Sequence, residues 1–292
     1  MSTTMKLFLL LTALTTTCRA FVVITPTTPR AVVSSYTSSR LFSTTAEGVS
    51  ISPIESEADL QKAAAFMVDA FWFNSPQGLV VDGDAVSDSA KKSLIQEQAD
   101  DFQDKYGERM GKRALETMLI QAIDSTTNEI VGLVGLEVSL LDKDIGDTLS
   151  TTKSEALLKT AVASLGPKER RQYKSATADE IATELLPPHL TAVAVLSNLV
   201  VSPTARRRGI ANTLCAQVEG IASSTDDNAK KWGYDALYLR VEKDNEAART
   251  LYETKLGFAE KYALPGATGV RVKDGSFSEV KADILVLCKD LQ

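Results

Sequence analysis

Three consecutive arginines, Arg206-Arg207-Arg208, run into Gly209-Ile210-Ala211-Asn212, where a helical pattern begins. These residue types suit an anion. A helix N-terminus carries free backbone N–H groups and the positive end of the helix dipole. Gly209 has no Cβ, so the backbone can approach a ligand closely. Ala211 keeps the first turn thin, and guanidinium groups pair well with phosphate. The stretch lacks the Lys-Ser/Thr end of a nucleotide P-loop and the G-x-G-x-x-G turn of a dinucleotide site. A pyrophosphate is the ligand that fits best. The plain alternative is a basic surface turn that only starts a helix.

A second stretch runs from Asn245 to Phe258. On a helix, Asn245, Ala248 and Tyr252 share a face at i, i+3 and i+7. Asn245, near the helix start, can present its amide to a ligand, and Tyr252 sits two turns deeper. The alternative is a common one: Asn245 as an N-cap and Tyr252 as a core aromatic. Other catalytic chemistries are poorly supplied. A single histidine, His189, leaves little for a histidine-rich metal site or a Ser-His-Asp triad. Cys18, Cys215 and Cys288 form no C-x-x-C pair, which argues against zinc fingers and a disulfide framework. Cys215, beside Leu214 in a helical pattern, reads as a small core residue. No metal is expected.

The elements that must position these residues alternate in type. Val49 to Ser52 reads as a strand, and Glu55 opens a helical pattern through Leu60, Ala64, Met67 and Phe71. Asn74 to Gly78 is a predicted loop. Ser87 to about Leu115 is charged and helical, broken near Gly107 and Gly111. Thr117–Asp124 and Ile130–Leu141 form a predicted hairpin about the turn Ser125 to Asn128. Residues 142–188 read as a helical insertion between two strands. Its plain reading is a solvated excursion with no direct chemistry; a lid or a partner surface is the alternative. Leu190 to Val201 (LTAVAVLSNLVV) is apolar and bounded by Pro188 and Pro203, as a central strand covered on both faces should be. A helix from Gly209 to about Ser223, a strand from Ala236 to Val241 and a helix from Asn245 to Leu256 follow, the last stopped by Gly257. Phe258–Ala263 and Val280–Leu287 complete the sheet, joined by a loop over Leu264–Ser278. The order predicts a layered α/β domain over 49–292.

Composition narrows the rest. The chain has 292 residues, 44% of them hydrophobic, enough for a packed core. A net charge of −6 argues against a general nucleic-acid binder, which carries a basic footprint. The first 46 residues hold 18 Ser or Thr, four basic residues and no acid. Setting them aside leaves 28 Lys+Arg against 38 Asp+Glu, a net of −10. Lys6 precedes the apolar run Leu7 to Leu14, which is too short to span a bilayer and has the length of a signal-peptide core. Cys18 and Ala20 are the small residues that cleavage before Phe21 requires. Residues 1–20 are therefore expected to be a signal peptide, and residues 21–48 a disordered, transit-peptide-like segment. The arrangement resembles the bipartite presequences of algae with secondary plastids. It implies import into the plastid stroma; the alternative is a plain secretory signal followed by a linker. No other stretch reaches transmembrane length, so no membrane partner is expected for the remainder.

The two chemical stretches together resemble the GNAT acetyltransferase superfamily. Its pattern is a strand ending in N-L-x-V-x-P, then R-x-x-G-x-A, then N-x-x-A-x-x-L-Y-x-x-x-G-F, and these parts stand in order from Asn198 to Phe258, with one residue more than the pattern between Tyr252 and Gly257. The resemblance implies an α/β GNAT fold: a mixed, mostly antiparallel sheet with splayed central strands and flanking helices. It implies acetyl-CoA as co-substrate. Leu199, Val200 and Val201 would offer backbone groups to the pantetheine arm and the acetyl carbonyl. Arg206, Arg207, Arg208, Gly209, Ile210, Ala211 and Asn212 would wrap the pyrophosphate. Asn245 would touch the cofactor arm, and Tyr252 would be the general acid near the sulfur. Some members carry a glutamate in the strand before the Asn helix, where this chain has Arg240. Glu242, two residues on, shares that strand face and is the candidate base; Glu137 on the hairpin is another. Either could equally be a surface acid. The expected activity is acetyl transfer to a protein or peptide amine, α or ε. The alternatives are a small-amine acetyltransferase and a non-catalytic CoA-binding scaffold.

Overall fold

The computed structural model describes residues 48–75, 77–81, 86–107, 115–224 and 232–291. The expected signal peptide, all but the last residue of the expected transit segment, Pro76 and Gly111 lie outside the described residues.

The described chain builds a mixed sheet from β1 (Val49–Pro53), β2 (Thr117–Asp124), β3 (Ile130–Asp142), a two-residue β4 (Asp147–Thr148), β5 (Leu190–Val201), β6 (Ala236–Glu242), β7 (Ala259–Lys273) and β8 (Ser276–Asp290). The order is β1-β2-β3-β5-β6-β8-β7, with β4 paired to β3. Every pairing is antiparallel except β5 with β6. That one parallel pair carries the main feature of the fold. Its register holds only at Ala194↔Leu237 and Val195↔Tyr238. Beyond Val195 the two central strands have no common ladder, so the sheet opens between them.

Helices cover both faces. On one face α6 (Ile210–Ala222) lies against β3 and β5, burying Ile210, Leu214, Cys215, Val218 and Ile221. Gly132 in β3 admits it: a Cβ there would press on Ile210 and Leu214. The short helix α7 (Glu246–Arg249) continues as wide π-turns over Thr250–Lys255 on the same face, with Tyr252 and Phe258 in the same core. On the other face α1 (Glu57–Met67) and α2 (Asp88–Tyr106) bury Leu60, Ala63, Ala64, Ala99 and Phe102 against Leu119, Leu133 and Val200. Each of these two helices starts at a serine whose hydroxyl accepts from the third residue on, Ser56 from Asp59 and Ser87 from Ala90. The continuous apolar run of β5 thus meets cover on both sides, as predicted.

Two parts differ from the sequence expectation. The loop predicted over Leu264–Ser278 is instead mostly strand, because β7 and β8 form one 15-residue-by-15-residue hairpin. Pro265 and Gly266 are absorbed by a bulge between Leu264 and Ala267, and Asp274-Gly275 makes a two-residue turn with φ of 50° and 73°. Asp-Gly between strands is a strong hairpin signal. The insertion is also less detached than its plain reading. It supplies α3 (Thr151–Ala163), α4 (Pro167–Arg170) and α5 (Ala178–Leu185). Thr151, Ser154 and Glu155 of α3 are buried. Ser154 accepts from the Leu140 N–H, tying α3 to β3.

Candidate active site

The open seam between β5 and β6 holds most of the residues singled out from the sequence. In β5 the register with β3 slips: Ser197 faces Gly135, but Val200 faces Leu133. The extra residue is a bulge, with Asn198 at φ 52°. Beyond it, the Ser202 N–H donates to the Val131 carbonyl at 2.9 Å. Strand alternation then turns the backbone of Val200 towards β3 and the backbones of Leu199 and Val201 towards the open seam. Of the three predicted backbone contributors, Leu199 and Val201 point the right way. Val200 sits in the β3 ladder and packs its side chain against α1 and α2.

The chain leaves β5 through a turn at Pro203–Ala205 and enters α6. Arg207 and Gly209 both have positive φ, 70° and 82°. Alternation of left-handed and ordinary residues is the conformation in which successive N–H groups converge on an anion. The first intrahelical bond runs from the Thr213 N–H to the Gly209 carbonyl. The N–H groups of Ile210, Ala211 and Asn212 therefore lie ahead of the helical ladder. A Cβ built on Gly209 would meet nothing within 4 Å, so the approach to the helix end is open. The three arginines do different things. Arg206 donates to the carbonyls of Val201 and Asn74, at 3.3 and 3.1 Å. Arg208 pairs with Asp124 at 2.9 Å. Arg207 is exposed and has no hydrogen-bond partner among the described residues, which leaves it as the arginine available to a ligand.

On the far side of the seam, Asn245 does cap a helix. Its Oδ1 accepts from the Ala248 N–H at 3.0 Å, and its Nδ2 donates to Gln77 Oε1 at 2.9 Å. Tyr252 is buried, packed edge-on against Phe258 with ring centroids 5.9 Å apart. Burial first, and the nearby Cys215 thiol second, push the phenol well above 10, so it holds its proton. Four residues separate Tyr252 from Gly257, one more than in the pattern, and the π-turns over Thr250–Lys255 accommodate the extra one. Cys215 is fully buried and its thiol is pushed up to about 12 by burial, which makes it no nucleophile.

Two carboxylates face the α1/α2 side of the seam. Glu242 holds both Arg271 guanidinium nitrogens, at 2.6 and 2.7 Å, and accepts from Gln77 at 3.3 Å. A guanidinium stays charged at any working pH. Glu242 is thus an anchored anion tying β6 to the β7–β8 hairpin, with both oxygens occupied. Replacing it by glutamine should cost about 2 kcal/mol of stability, because Arg271 would keep a largely buried charge without its partner. Urea unfolding of Glu242→Gln checks this. Arg240, at the position of the family glutamate, pairs with Asp147 at 3.1 Å. Glu137 is different: it is buried and, among the described residues, its carboxylate accepts from three hydroxyls. Tyr106, which the sequence reading passed over, is the principal member of its network. Its one sequence signal was an aromatic at the end of a mostly polar helix. Two cavities, of about 310 and 370 Å³, lie apart from these residues.

A family model matches the part of the chain that builds the seam. Residues 182–258, from within α5 to just past the π-turns, match the model of the acetyltransferase (GNAT) family. The match covers about a quarter of the chain and includes every residue assigned above to the cofactor. Among solved structures, the chain is similar to Arabidopsis thaliana NAA60 in complex with a bisubstrate analogue: 16% identity, 84% of this chain, 99% of that chain, TM-score 0.47. It is also similar to the Escherichia coli ribosomal-protein-S18-alanine N-acetyltransferase: 15% identity, 84% and 94% covered, TM-score 0.40. Drosophila melanogaster polyamine N acetyltransferase gives 12% identity, 83% and 100% covered, TM-score 0.42. No curated protein matches the chain in sequence. The GNAT family match thus falls on the seam residues and the start of α6.

Proposed function

We propose that the protein is an acetyl-CoA-dependent N-acetyltransferase that moves acetyl directly to a protein amine, an N-terminal α-amine or a lysine ε-amine. The observation that carries this reading is the open seam. Leu199 and Val201 turn strand backbone that lies outside the β3 ladder into it, and the bare start of α6 stands at its end. These are the two things acetyl-CoA needs: a strand edge for its amide arm and N–H groups for its pyrophosphate. When bound, acetyl-CoA supplies the thioester. The strand N–H groups stabilise the carbonyl oxygen as charge develops, and Tyr252 holds the proton a leaving thiolate would take. No covalent enzyme intermediate is needed, in keeping with the buried Cys215.

The protein acceptor is favoured by the acidic charge of the chain beyond residue 46, which suits cationic amines. The full chain, incubated with acetyl-CoA and a mixed peptide library, should yield acetylated α-amines or lysines by mass spectrometry. Thiol release with spermidine or free amino acids, and no peptide product, would move the assignment to small amines. Bound acetyl-CoA with no acceptor at all would leave a scaffold. For the cofactor end, Gly209→Val should raise the acetyl-CoA KM about tenfold with little change in kcat. A β-branched residue resists φ 82°, and the helix start would lose its close approach. We propose plastid import from the composition of residues 1–48; fusing them to a fluorescent protein tests it, and secretion would refute it.

A further inference from the structure

A carboxylate buried in a sheet is costly unless it is hydrogen-bonded. Glu137 lies in the mostly apolar run of β3 and is 8% exposed. Each element packed on it contributes. From α2, the Tyr106 hydroxyl donates to Oε1 at 2.5 Å. Lys105, also from α2, lies close enough to feel its charge but pairs with Asp101 at 3.2 Å. From β5, Ser197 Oγ donates to the same Oε1 at 2.5 Å. From α3, Thr151 Oγ1 donates to Oε2 at 2.8 Å. Asn198, the bulge residue, closes the network by donating its Nδ2 to the Tyr106 oxygen at 2.8 Å. Tyr106 and Ser197 are only 3.2 Å apart. They are half-buried, with Glu137 beneath them. The backbone makes room for this cluster. A side chain at Gly135 would overlap both the Tyr106 hydroxyl and Ser197 Oγ.

The contrast with Glu242 decides what such a network can do. Glu242 is neutralised by a permanent cation. Among the described residues Glu137 is bonded by hydroxyls and by no cation, and a hydroxyl both donates and accepts. A proton reaching a hydroxyl oxygen can pass inward as that hydroxyl hands its own hydrogen to the carboxylate. The cluster abuts the bulge, beside the Leu199 backbone that faces the seam.

Resting on the N-acetyltransferase reading above, we propose that Glu137 is the terminal acceptor of the amine proton, reached through the Tyr106–Ser197 hydroxyl pair. The amine nitrogen forms a bond to the acetyl carbon and the C–S bond breaks. The nitrogen's proton goes to a hydroxyl oxygen of the pair, and that hydroxyl's hydrogen goes to Glu137 Oε1. The departing thiolate takes the Tyr252 proton, and solvent restores both groups. Tyr106 is kept protonated by burial and by the Glu137 charge, so it passes a proton on and does not give one up for good. Thr151 fixes the other carboxylate oxygen, which gives the insertion a positioning role.

The test uses the full chain, with acetyl-CoA and whichever acceptor the wild type acetylates best. The measured quantity is kcat against pH, which reports ionisations in the ternary complex. Glu137→Gln should lower kcat about 10²-fold at neutral pH and erase the wild-type acid limb, with acetyl-CoA affinity unchanged. Tyr106→Phe should lower kcat about tenfold with KM unchanged; it carries the test if the glutamine variant does not fold. Wild-type kcat and pH profile in both variants would overturn the proposal and leave the acetyltransferase reading standing. A loss that is equal at every pH and tracks a falling Tm would mark Glu137 as structural only and also overturn it. A wild type that binds acetyl-CoA but acetylates no amine would sink the acetyltransferase reading itself, and this proposal with it.

Discussion

Tyr252→Phe should lower kcat by about 10²- to 10⁴-fold, the usual contribution of a positioned proton donor. The ring stays in place in this variant, because its packing on Phe258 and in the α6 core does not use the hydroxyl. Stability and acetyl-CoA affinity should therefore be near wild type. The loss should fall on kcat and kcat/KM together, the signature of an interaction made only in the transition state. Thioesters of more acidic thiols need less protonation as they leave. With an activated acetyl thioester as donor, the gap between Tyr252→Phe and wild type should shrink. A variant as active as wild type would show that the thiolate leaves unassisted or is protonated by another group.

Leu214→Ala should cost about 3 kcal/mol, within the range for emptying a fully buried leucine site. Leu214 lies where α6 crosses β3, opposite Gly132, and its neighbours in the core include Ile210 and Val218. Close packing at Gly132 leaves little freedom for the site to collapse, so the cavity term should be felt in full. For a domain of this size, that cost corresponds to a fall in Tm of about 6–12 °C. The same helix presents its first N–H groups to the seam, so acetyl-CoA binding should weaken with it. A Tm within 2 °C of wild type would mean that α6 is not pinned as the core packing implies.

The sequence was most legible where local chemistry is dense. β5 runs over Leu190–Val201 as predicted, because a β-branched apolar run bounded by prolines has few other solutions. The start of α6 at Gly209 and the cap at Asn245 were readable for the same reason: each depends on one residue type with one conformational use. The β7–β8 hairpin was hidden by Pro265 and Gly266, read as loop residues when they form a bulge inside a strand. The π-turns near Tyr252 were visible only as one residue too many. The state of the carboxylates was not legible. Glu242 and Glu137 read alike as acids on strands, yet Arg271 comes from 29 residues away to one, and Tyr106, Thr151 and Ser197 from three separate elements to the other. No local pattern encodes such long-range partners, and they decide whether a carboxylate is an anchor or a proton acceptor.

Acetyl-CoA is expected to occupy the β5–β6 seam with its pyrophosphate on the start of α6. Amide hydrogen exchange of the full chain, with and without saturating acetyl-CoA, tests it most directly. Bound acetyl-CoA should slow exchange at Leu199 and Val201 and at Gly209 to Asn212, with little change in the α3–α5 insertion. Binding accompanied by protection elsewhere, with those amides exchanging as in the free protein, would contradict it.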